Sequence, residues 1–504
     1  MSGTSARCPF SGAGGGTDVL PPPADPGTAA DTPTPGPPDA PAALASGVPA
    51  ALAPDTADLP APVTADLPAP VTADLPAPDT ADLPAPDTAD LPAPHTADPP
   101  RFPFPGLSGI SLDPVLLDRY RDEPLVPVRL ANGREALLVT RYADVRTVLS
   151  DDRFSREAWA NGTLFARKSG ALALVTSDAP THTRRRSRVQ SRFTHRKAEE
   201  DRPRIARIAA ELLDSLQDAD ADAGRPVDLI AEFTTPFPYR VICEMLGVPA
   251  ADLDRLLPSV TVMMSAGRFS ADQAARAHEV MYDYFFGQLA ARRQAIAAGR
   301  PGDDLLTTLL SAPRETRLSD EEIVVFGFGL MMAGGETTAS HLAMCVLQVL
   351  STPGLADRLR RDASAVPAVV EELLRWVWFA GTGGQPHVAL EDVELAGRAL
   401  PAGQVVIPLT DAANRDPGVF PDADEFRPDR APNPHIGFGH GRHMCLGAAH
   451  ARVELQEGLT AVLERLDHLE LAVEPAELRW RDQMFMRGVW ELPVRWHPKE
   501  DGRC

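Results

Sequence analysis

The sequence predicts a mainly α-helical fold with a small β region. From residue 181 onward, apolar side chains recur every three to four positions, the spacing of helices that bury one face. The predicted helices are 183–192, 199–217, 273–297, 320–351, 367–376 and 446–466. The strand-like pieces are few, namely 136–140 after a hairpin turn at Asn132-Gly133, then 388–400 and 405–409. Because strands and helices do not alternate, the pattern does not predict a doubly wound sheet.

The first 100 residues differ in composition from the rest of the chain. They hold 24 of the 51 prolines and 13 Asp, but no Glu and a single aromatic residue, Phe10. An eight-residue repeat places Thr at positions 56, 64, 72, 80, 88 and 96. Such a stretch buries too little apolar surface to offset the entropy of ordering, and its prolines favour extended conformations. We therefore predict a disordered tail over 1–100 and one folded domain over 101–504.

Charge and cysteine usage narrow the function classes. Without the tail, 57 acidic and 48 basic residues remain, a formal charge of −9. An acidic chain without a basic terminus does not suit nucleic acid, because phosphate contacts dominate that affinity. The five cysteines are Cys8, Cys243, Cys345, Cys445 and Cys504. They are widely spaced and form no CxxC pair, which argues against disulfides and zinc and fits a reducing cytoplasm.

No segment predicts secretion or membrane insertion. The N-terminus lacks the charged start and the apolar stretch of about 7–15 residues that a secretory signal requires. The longest apolar run, 323–335, is shorter than the roughly 20 residues that span a bilayer. We predict a soluble, cytoplasmic protein.

Cys445 stands in the most informative segment, HIGFGHGRHMCLGAAHARVEL. It follows a glycine-rich loop and precedes a predicted helix. The free N–H groups and dipole of a helix start lower a thiol pKa and make the sulfur a good ligand for a soft or borderline metal. Gly439, Gly441 and Gly447 let the backbone approach a flat ligand closely. Phe438 is placed to shield the sulfur from water. The other internal cysteines are expected to be small buried hydrophobes.

This loop matches a specific ten-residue pattern, Phe438-Gly439-x-Gly441-x-His443-x-Cys445-x-Gly447. The pattern resembles the haem-binding loop of the cytochrome P-450 family, the haem-thiolate monooxygenases. The resemblance implies that Cys445 is the axial thiolate of the haem iron, a ligand that favours O–O cleavage. It also implies that His443 is a partner of a haem propionate, and that Phe438, Gly439 and Gly447 contact the cofactor.

The predicted helix 320–351 contains the sequence AGGETT, in which the acid is Glu336 and the first hydroxyl residue is Thr337. Adjacent glycines and hydroxyl residues weaken the helical hydrogen-bond ladder, so we expect a kink here that makes room for a small molecule against the helix. The motif resembles the family's oxygen-activation signature, which implies that Glu336 and Thr337 are a catalytic pair that relays protons. The alternative is a polar interruption of a core helix, with the Thr bonded back to the preceding turn.

Glu372 and Arg375 lie three residues apart on the predicted helix 367–376, so they share one helical face. At a surface such a pair contributes only about 0.3–0.5 kcal/mol. The spacing resembles the family's buried ExxR motif, which an arginine before the haem loop completes, and Arg430 fits that position. The resemblance implies a structural role in the haem-side core.

His182 and Arg186 lie one helical turn apart and resemble the family's HxxxR segment, which binds a haem propionate. An arginine fork suits a carboxylate. The basic residues of this region are Arg184, Arg185, Arg186, Arg188, Arg192, Arg196 and Lys197. Such a cluster suits the docking of an acidic electron donor, a ferredoxin served by a ferredoxin reductase. The alternative is a solvated helix face with propionate contacts only.

One position departs from the family pattern. His387, in QPHVALEDVEL, stands where the family often carries a propionate-binding arginine. We expect the haem to bind and His387 to contact it, with altered propionate contacts or redox potential.

Aromatic and thioether side chains are expected above the haem by similarity, which suggests an apolar guest. These are Trp159, Leu164, Phe165, Met263, Met264, Met331, Met332, Trp378, Phe379 and residues 484–486. Each is also an ordinary core residue type, so no single position is assigned.

The resemblance covers residues 101–504 and implies the family fold, with haem b (iron protoporphyrin IX) between the long central helix and the helix after the Cys loop. It implies an actinomycete-like soluble enzyme of secondary metabolism that uses O2 and two electrons to oxidise a small, largely apolar molecule. One alternative is oxidative coupling or ring closure without oxygen insertion. A non-catalytic haem sensor would not need residues 333–338. A scaffold that acts through its repeat tail would lose function with residues 1–100.

Overall fold

A computed structural model describes four stretches of the chain, residues 99–104, 108–161, 174–219 and 225–496. Several predictions lie outside these described residues, namely those for residues 1–98 of the tail, Cys8, Cys504, Leu164 and Phe165.

Helices make up most of the described residues, as predicted. They are α1 (Pro114–Asp122), α2 (Tyr142–Ser150), α3 (Arg156–Asn161), α4 (Thr181–Val189), α5 (His195–Ala219), α6 (Pro236–Leu246), α7 (Leu253–Met263), α8 (Ala271–Ala297), α9 (Leu305–Leu310), α10 (Asp320–Ser351), α11 (Leu355–Arg361), α12 (Val366–Trp376), α13 (Thr410–Ala413) and α14 (Ala448–Arg465). All six predicted helices are present. The sequence pattern does not predict α6 and α7, because prolines at the start of α6 and inside α7 obscure the helical periodicity.

The strands form three small sheets. They are β1 (Arg101–Phe102), β2 (Leu125–Leu130), β3 (Glu135–Val139), β4 (Phe154–Ser155), β5 (Val227–Asp228), β6 (His387–Ala389), β7 (Val393–Leu395), β8 (Arg398–Leu400), β9 (Val405–Pro408), β10 (Glu470–Leu471) and β11 (Pro493–Arg495). Their orders are β1-β2-β3-β9-β6-β4, β10-β11-β5 and β7-β8. The prediction of one strand over 388–400 is wrong. The chain turns between β7 and β8, where Ala396 and Gly397 have φ of 53° and 75°.

The hairpin β2–β3 is confirmed at Asn132-Gly133. Gly133 has φ of 82°, a conformation that favours glycine, and its N–H donates to the carbonyl of Leu130 (2.9 Å). At the other edge of the six-stranded sheet, β4 pairs antiparallel with β6, with Ser155 opposite Val388. This register brings the start of α3 beside the start of β6.

Helix α10 runs through the core. A reciprocal cap starts it: the Ser319 hydroxyl accepts from the N–H of Glu322 (3.1 Å), and the Glu322 carboxylate accepts from the N–H of Ser319 (2.9 Å). Residues 323–328 are all buried, so the helix is apolar on every side there. By length and composition α10 could cross a membrane, but 67% of its most apolar window is buried inside the protein, as in a core helix.

Candidate active site

The Cys445 loop is fixed by backbone contacts. The N–H of Cys445 donates to the carbonyl of Phe438 (2.8 Å). Gly439 and Gly441 have φ of 75° and 69°, where other residues are strained. A Cβ at Gly441 would lie 2.4 Å from the carbonyl oxygen of Leu149, so the loop packs directly on the end of α2.

The sulfur of Cys445 lies deep in the protein and is exposed to a cleft. Burial raises its pKa, and the N–H of Gly447, Arg186 and Arg452 oppose that shift. Helix α14 begins only at Ala448. The prediction that a helix start lowers this pKa is therefore wrong for the protein alone, because the loss of hydration outweighs the nearby donors. A coordinated metal ion deprotonates such a thiol.

Helix α10 has an accessible face within a mostly buried segment. Ala333 is exposed and Thr337 is half-buried, whereas Gly335, Glu336 and Thr338 are buried. Residues four apart share a helical face, so Ala333 and Thr337 border the same open space. The Thr337 hydroxyl donates to the carbonyl of Ala333, the bond back to the preceding turn that polar residues in core helices often make.

The two glycines of this segment face another helix. A Cβ at Gly335 would lie 2.4 Å from a ring carbon of Tyr239, and one at Gly334 would lie 3.2 Å from Ile242. Both neighbours belong to α6. The space beside these two glycines is therefore occupied by α6, and the accessible side of this segment is the face of Ala333 and Thr337.

Glu336 is held in a buried ion pair. An Arg481 amino group lies 2.7 Å from its Oε1, and the Tyr239 hydroxyl donates to Oε2 at 3.4 Å. The same guanidinium also donates to the Ser340 hydroxyl at 3.1 Å. Successive helical residues are rotated by about 100°, so the Thr337 hydroxyl points in a different direction from the Glu336 carboxylate. Sequence reasoning did not find Arg481 or Tyr239.

Glu372, Arg375 and Arg430 form one buried cluster. Arg375 donates to both carboxylate oxygens at 2.7 and 2.8 Å, and Nε of Arg430 lies 3.1 Å from each oxygen. The three side chains are at most 4% exposed. Arg375 also donates to the carbonyls of Asn414 and Ala423 at 2.9 and 3.0 Å. The cluster thus joins α12 to the segment that leads into the Cys445 loop.

His182 and His443 face each other, with ring centroids 4.2 Å apart. Within the described parts of the chain, both nitrogens of His182 and Nε2 of His443 are buried without a hydrogen-bond partner. Burial, together with His443 and Arg186, lowers the pKa of His182 to about 4. The nearby Asp178 carboxylate lies 4.0 Å from Nε2 of His443. Buried polar groups normally have partners, so this pair of rings has room for a ligand that accepts hydrogen bonds.

The basic residues of α4 do not form one positive face. Arg184 and Arg185 pair with Glu322 at the start of α10, and Arg185 is buried. Arg186 lies close enough to Cys445 to lower the pKa of its thiol. Only part of the cluster is therefore available to a partner.

His387 lies beside Arg156, a residue that sequence reasoning did not single out. Nε of Arg156 donates to Nε2 of His387 at 3.1 Å, and Nδ1 of His387 lies 2.9 Å from the carbonyl of Gln385. The His387 residue is 2% exposed, and burial lowers its pKa well below the usual value. Burial also lowers the pKa of Arg156, to about 10.

Three segments meet where substrate contacts are predicted. Ser265, just after α7, forms an isolated antiparallel β-bridge with Met484. Ala380, after α12, forms another with Met486. The N–H of Phe485 donates to the carbonyl of Met264 at 3.0 Å. The residues predicted at these places are thus brought together.

Other predicted contacts are core residues. Met331 is fully buried, and Trp378 is 8% exposed beneath the Arg487 guanidinium, which lies 3.8 Å from the ring centre. Trp159 packs against the core of the six-stranded sheet, with Arg134 over its ring. Three further predicted contacts stay half-buried, namely Met263, Met332 and Phe379.

These features fit a large flat cofactor that has a metal and carboxylate tails. Cys445 supplies an accessible sulfur, and a Cβ at Gly439 or Gly447 would meet no protein atom within 4 Å. The unpartnered rings of His182 and His443 supply donors for carboxylates. A thiolate ligand beside carboxylate-binding groups is the donor set that haem b requires.

Comparisons with known proteins agree with this donor set. A family model described as cytochrome P-450 matches residues 120–487. The chain is 41% identical to mycinamicin IV hydroxylase/epoxidase of Micromonospora griseorubida, over 79% of this chain and 99% of the relative. It is 38% identical to nocardicin C N-oxygenase of Nocardia uniformis subsp. tsuyamanensis, over 78% of this chain and 98% of the relative.

A solved structure has the same fold. It is a cytochrome P-450 with biaryl coupling reactivity, and it matches with a TM-score of 0.70 at 37% identity, over 76% of this chain and 96% of that one. The family match and these identities show that the chain belongs to the cytochrome P-450 family, the haem b monooxygenases with a cysteine thiolate ligand that oxidise small molecules with electrons from redox partners.

Proposed function

We propose that Cys445 is the axial ligand of haem b in a monooxygenase of secondary metabolism. The observation that carries the proposal is that Cys445 is exposed in a loop of the family pattern. His182, Arg186 and His443 bind the haem carboxylates, because two of them are unpartnered donors and the third is a cation close to the sulfur.

When bound, haem b activates dioxygen with two electrons, so that one oxygen atom can be inserted into the substrate. The protein supplies the protons. The Thr337 hydroxyl borders the open space and delivers the proton, and Glu336, whose carboxylate faces another direction on α10, passes protons to it through intervening water. Arg481 acts as a positioning residue, since its ion pair fixes where the Glu336 carboxylate lies.

The substrate is a small, largely apolar organic molecule. Support comes from the segments around Met264, Ala380 and Phe485, which place apolar and thioether side chains together. The named substrates of the relatives, mycinamicin IV and nocardicin C, are in line with a role in secondary metabolism.

The electron donor is a ferredoxin, reduced by a ferredoxin reductase, in the cytoplasm. A cavity of about 780 Å³ opens beside Cys445, between the segment that follows α4 and the helix α14. Its lining includes Arg186, next to the exposed Met444, and also Arg452 and Arg202, which are paired with Glu371 and Glu199. Cations around an apolar centre suit an acidic partner protein.

A second candidate is oxidative coupling of substrates without oxygen insertion. It is favoured by the biaryl coupling reactivity of the solved structure with 37% identity. Both reactions need Cys445 and electrons, but they differ in the fate of dioxygen.

Reconstitution with a ferredoxin, its reductase and NADPH tests the function. Candidate small molecules are first screened by the optical shift that accompanies displacement of water from the iron, and binders are then turned over under isotopically labelled dioxygen. We expect one labelled oxygen atom in the product. Label-free dimers or ring-closed products would assign coupling, and NADPH consumption that no substrate stimulates would reject the enzyme assignment.

The cavity beside Cys445, which we call the docking groove, gives a further expected result. Gln190 lines the groove and is exposed, so Gln190→Glu adds a negative charge there and should raise the KM for ferredoxin at low salt. The difference should shrink at high ionic strength, where the screening length falls to about 3 Å at 1 M. Gln294→Glu, at an exposed position of α8, is the matched control. Equal KM values for the two variants would place the docking site elsewhere.

A further inference from the structure

His387 is the residue that departs from the family pattern, and both of its ring nitrogens already make hydrogen bonds. Nδ1 of His387 pairs with the carbonyl of Gln385, which makes Nδ1 the protonated nitrogen, and Nε2 then accepts from Nε of Arg156. Burial and the nearby Arg156 keep this ring neutral. A neutral ring with both nitrogens engaged has no donor left for a carboxylate.

Arg156 has hydrogen-bond donors that are not used within the described parts of the chain. Its Nε–H is used on His387, and in the described parts of the chain neither amino group of its guanidinium makes a hydrogen bond or lies within ion-pair distance of a carboxylate. The Arg156 residue is half-buried, and loss of hydration lowers its pKa to about 10. The two amino groups of this guanidinium are therefore available to pair with an anion.

The fold explains why this arginine reaches the position of His387. Strand β4 pairs antiparallel with β6, with Phe154 opposite Ala389 and Ser155 opposite Val388. One step further along this register sets Arg156 opposite His387. The sheet therefore brings a guanidinium from α3 to the place where the family often has one on β6.

Among the described residues, the anion that acts on Arg156 is the Asp178 carboxylate, which does not lie within ion-pair distance of the guanidinium. Arg156 lies close enough to His182 and His443 to lower the pKa of both rings, and these rings carry the unpartnered nitrogens. The Asp178 carboxylate is shared, since it accepts from the Ser155 hydroxyl and also faces His443. A carboxylate from a ligand would complete this group of donors.

We propose that Arg156 binds a haem propionate in this chain, in place of the arginine that the family often carries at position 387, and that His387 is the positioning residue that orients the Arg156 fork. This inference rests on the proposed haem site. It changes the role expected for His387 from a direct contact of the cofactor to a residue that acts through Arg156.

The test compares haem retention with two porphyrins. The wild type, Arg156→Gln and the control Arg153→Gln are reconstituted with haem b or with its dimethyl ester, which has no free carboxylates, and transfer of the porphyrin to apomyoglobin is timed. Arg153 is three residues away and partly exposed, in a surface ion pair with Asp151. We expect Arg156→Gln to lose haem b about tenfold to a hundredfold faster, as for a lost hydrogen bond to a charged group. The ester should show no such difference.

Retention of haem b by Arg156→Gln at the wild-type rate would overturn the inference, and so would equal acceleration with both porphyrins, which indicates a structural role. Arg156→Lys keeps the charge but not the fork, and serves if the glutamine variant does not accumulate. It should also lose haem b faster than the wild type, again without a change for the ester. Arg156→Gln/His387→Arg returns a guanidinium to position 387 and should restore retention. If the wild type itself takes up no haem b, the proposed function fails instead.

Discussion

Replacing Thr337 with alanine should separate electron consumption from product formation. The hydroxyl of Thr337 is half-buried on the accessible face of α10, and its proton is donated to the Ala333 carbonyl, so the hydroxyl must rotate away from that carbonyl to deliver a proton. A positioned proton donor contributes about 10²–10⁴-fold to a rate, and water replaces part of that in the variant. We expect product formed per NADPH to fall about tenfold to a hundredfold, with hydrogen peroxide released instead.

Thr338→Ala is the matched control for this experiment. Thr338 carries the same side chain one position further on, but it is buried and faces a different direction on the helix. It should keep the wild-type ratio of product to NADPH. If Thr337→Ala and Thr338→Ala behave alike, Thr337 has no special part in proton delivery. A wild type that consumes no electrons with any bound molecule would favour the haem sensor.

Replacing Glu372 with glutamine should cause a large loss of stability. Glu372 is the shared acceptor of two buried guanidiniums, Arg375 and Arg430, at distances of 2.7–3.1 Å. Without its charge, two cations remain buried and unneutralised. Breaking a buried ion pair in this way costs about 3–5 kcal/mol. The free energy of unfolding from urea titration, followed by circular dichroism, measures the loss.

A surface ion pair provides the control for the buried one. Asp429 pairs with Arg358, but its side chain is 71% exposed. Exposed pairs contribute about 0–1 kcal/mol, so Asp429→Asn should shift the unfolding midpoint only slightly. If Glu372→Gln has no larger effect than Asp429→Asn, the cluster does not hold the haem-side core together.

The local sequence pattern was sufficient to predict those parts of the site that lie within one segment of the chain. The glycines before Cys445 predict a loop whose backbone can approach a flat ligand, and the structure has a loop there with positive φ at Gly439 and Gly441. The periodicity predicts α10 with its observed ends. The pair of Glu372 and Arg375 could be predicted because residues three positions apart on a helix share a face.

Residues that act across the fold could not be predicted in this way. Arg481 is 145 positions from Glu336, and Arg156 is 231 positions from His387. Each reaches its partner through the packing of separate elements, and a single sequence does not contain that register. The glycines of α10 illustrate the same point, since only the structure shows that Gly335 makes room for Tyr239.

The pKa of Cys445 shows which physical effect dominates at the site. The sequence places the thiol before a helix, and the dipole of a helix acts only within its first turn. The helix starts at Ala448, and burial of the sulfur has the larger effect on its pKa. For Cys445 to be the iron ligand that we propose, coordination itself must deprotonate the thiol.

The optical spectrum of the reduced, carbon monoxide-treated protein tests the bond between Cys445 and haem iron most directly. We expect the strongly red-shifted Soret band that a thiolate ligand gives. A Soret band at the position typical of an imidazole ligand would contradict it, as would colourless protein from cells supplied with a haem precursor.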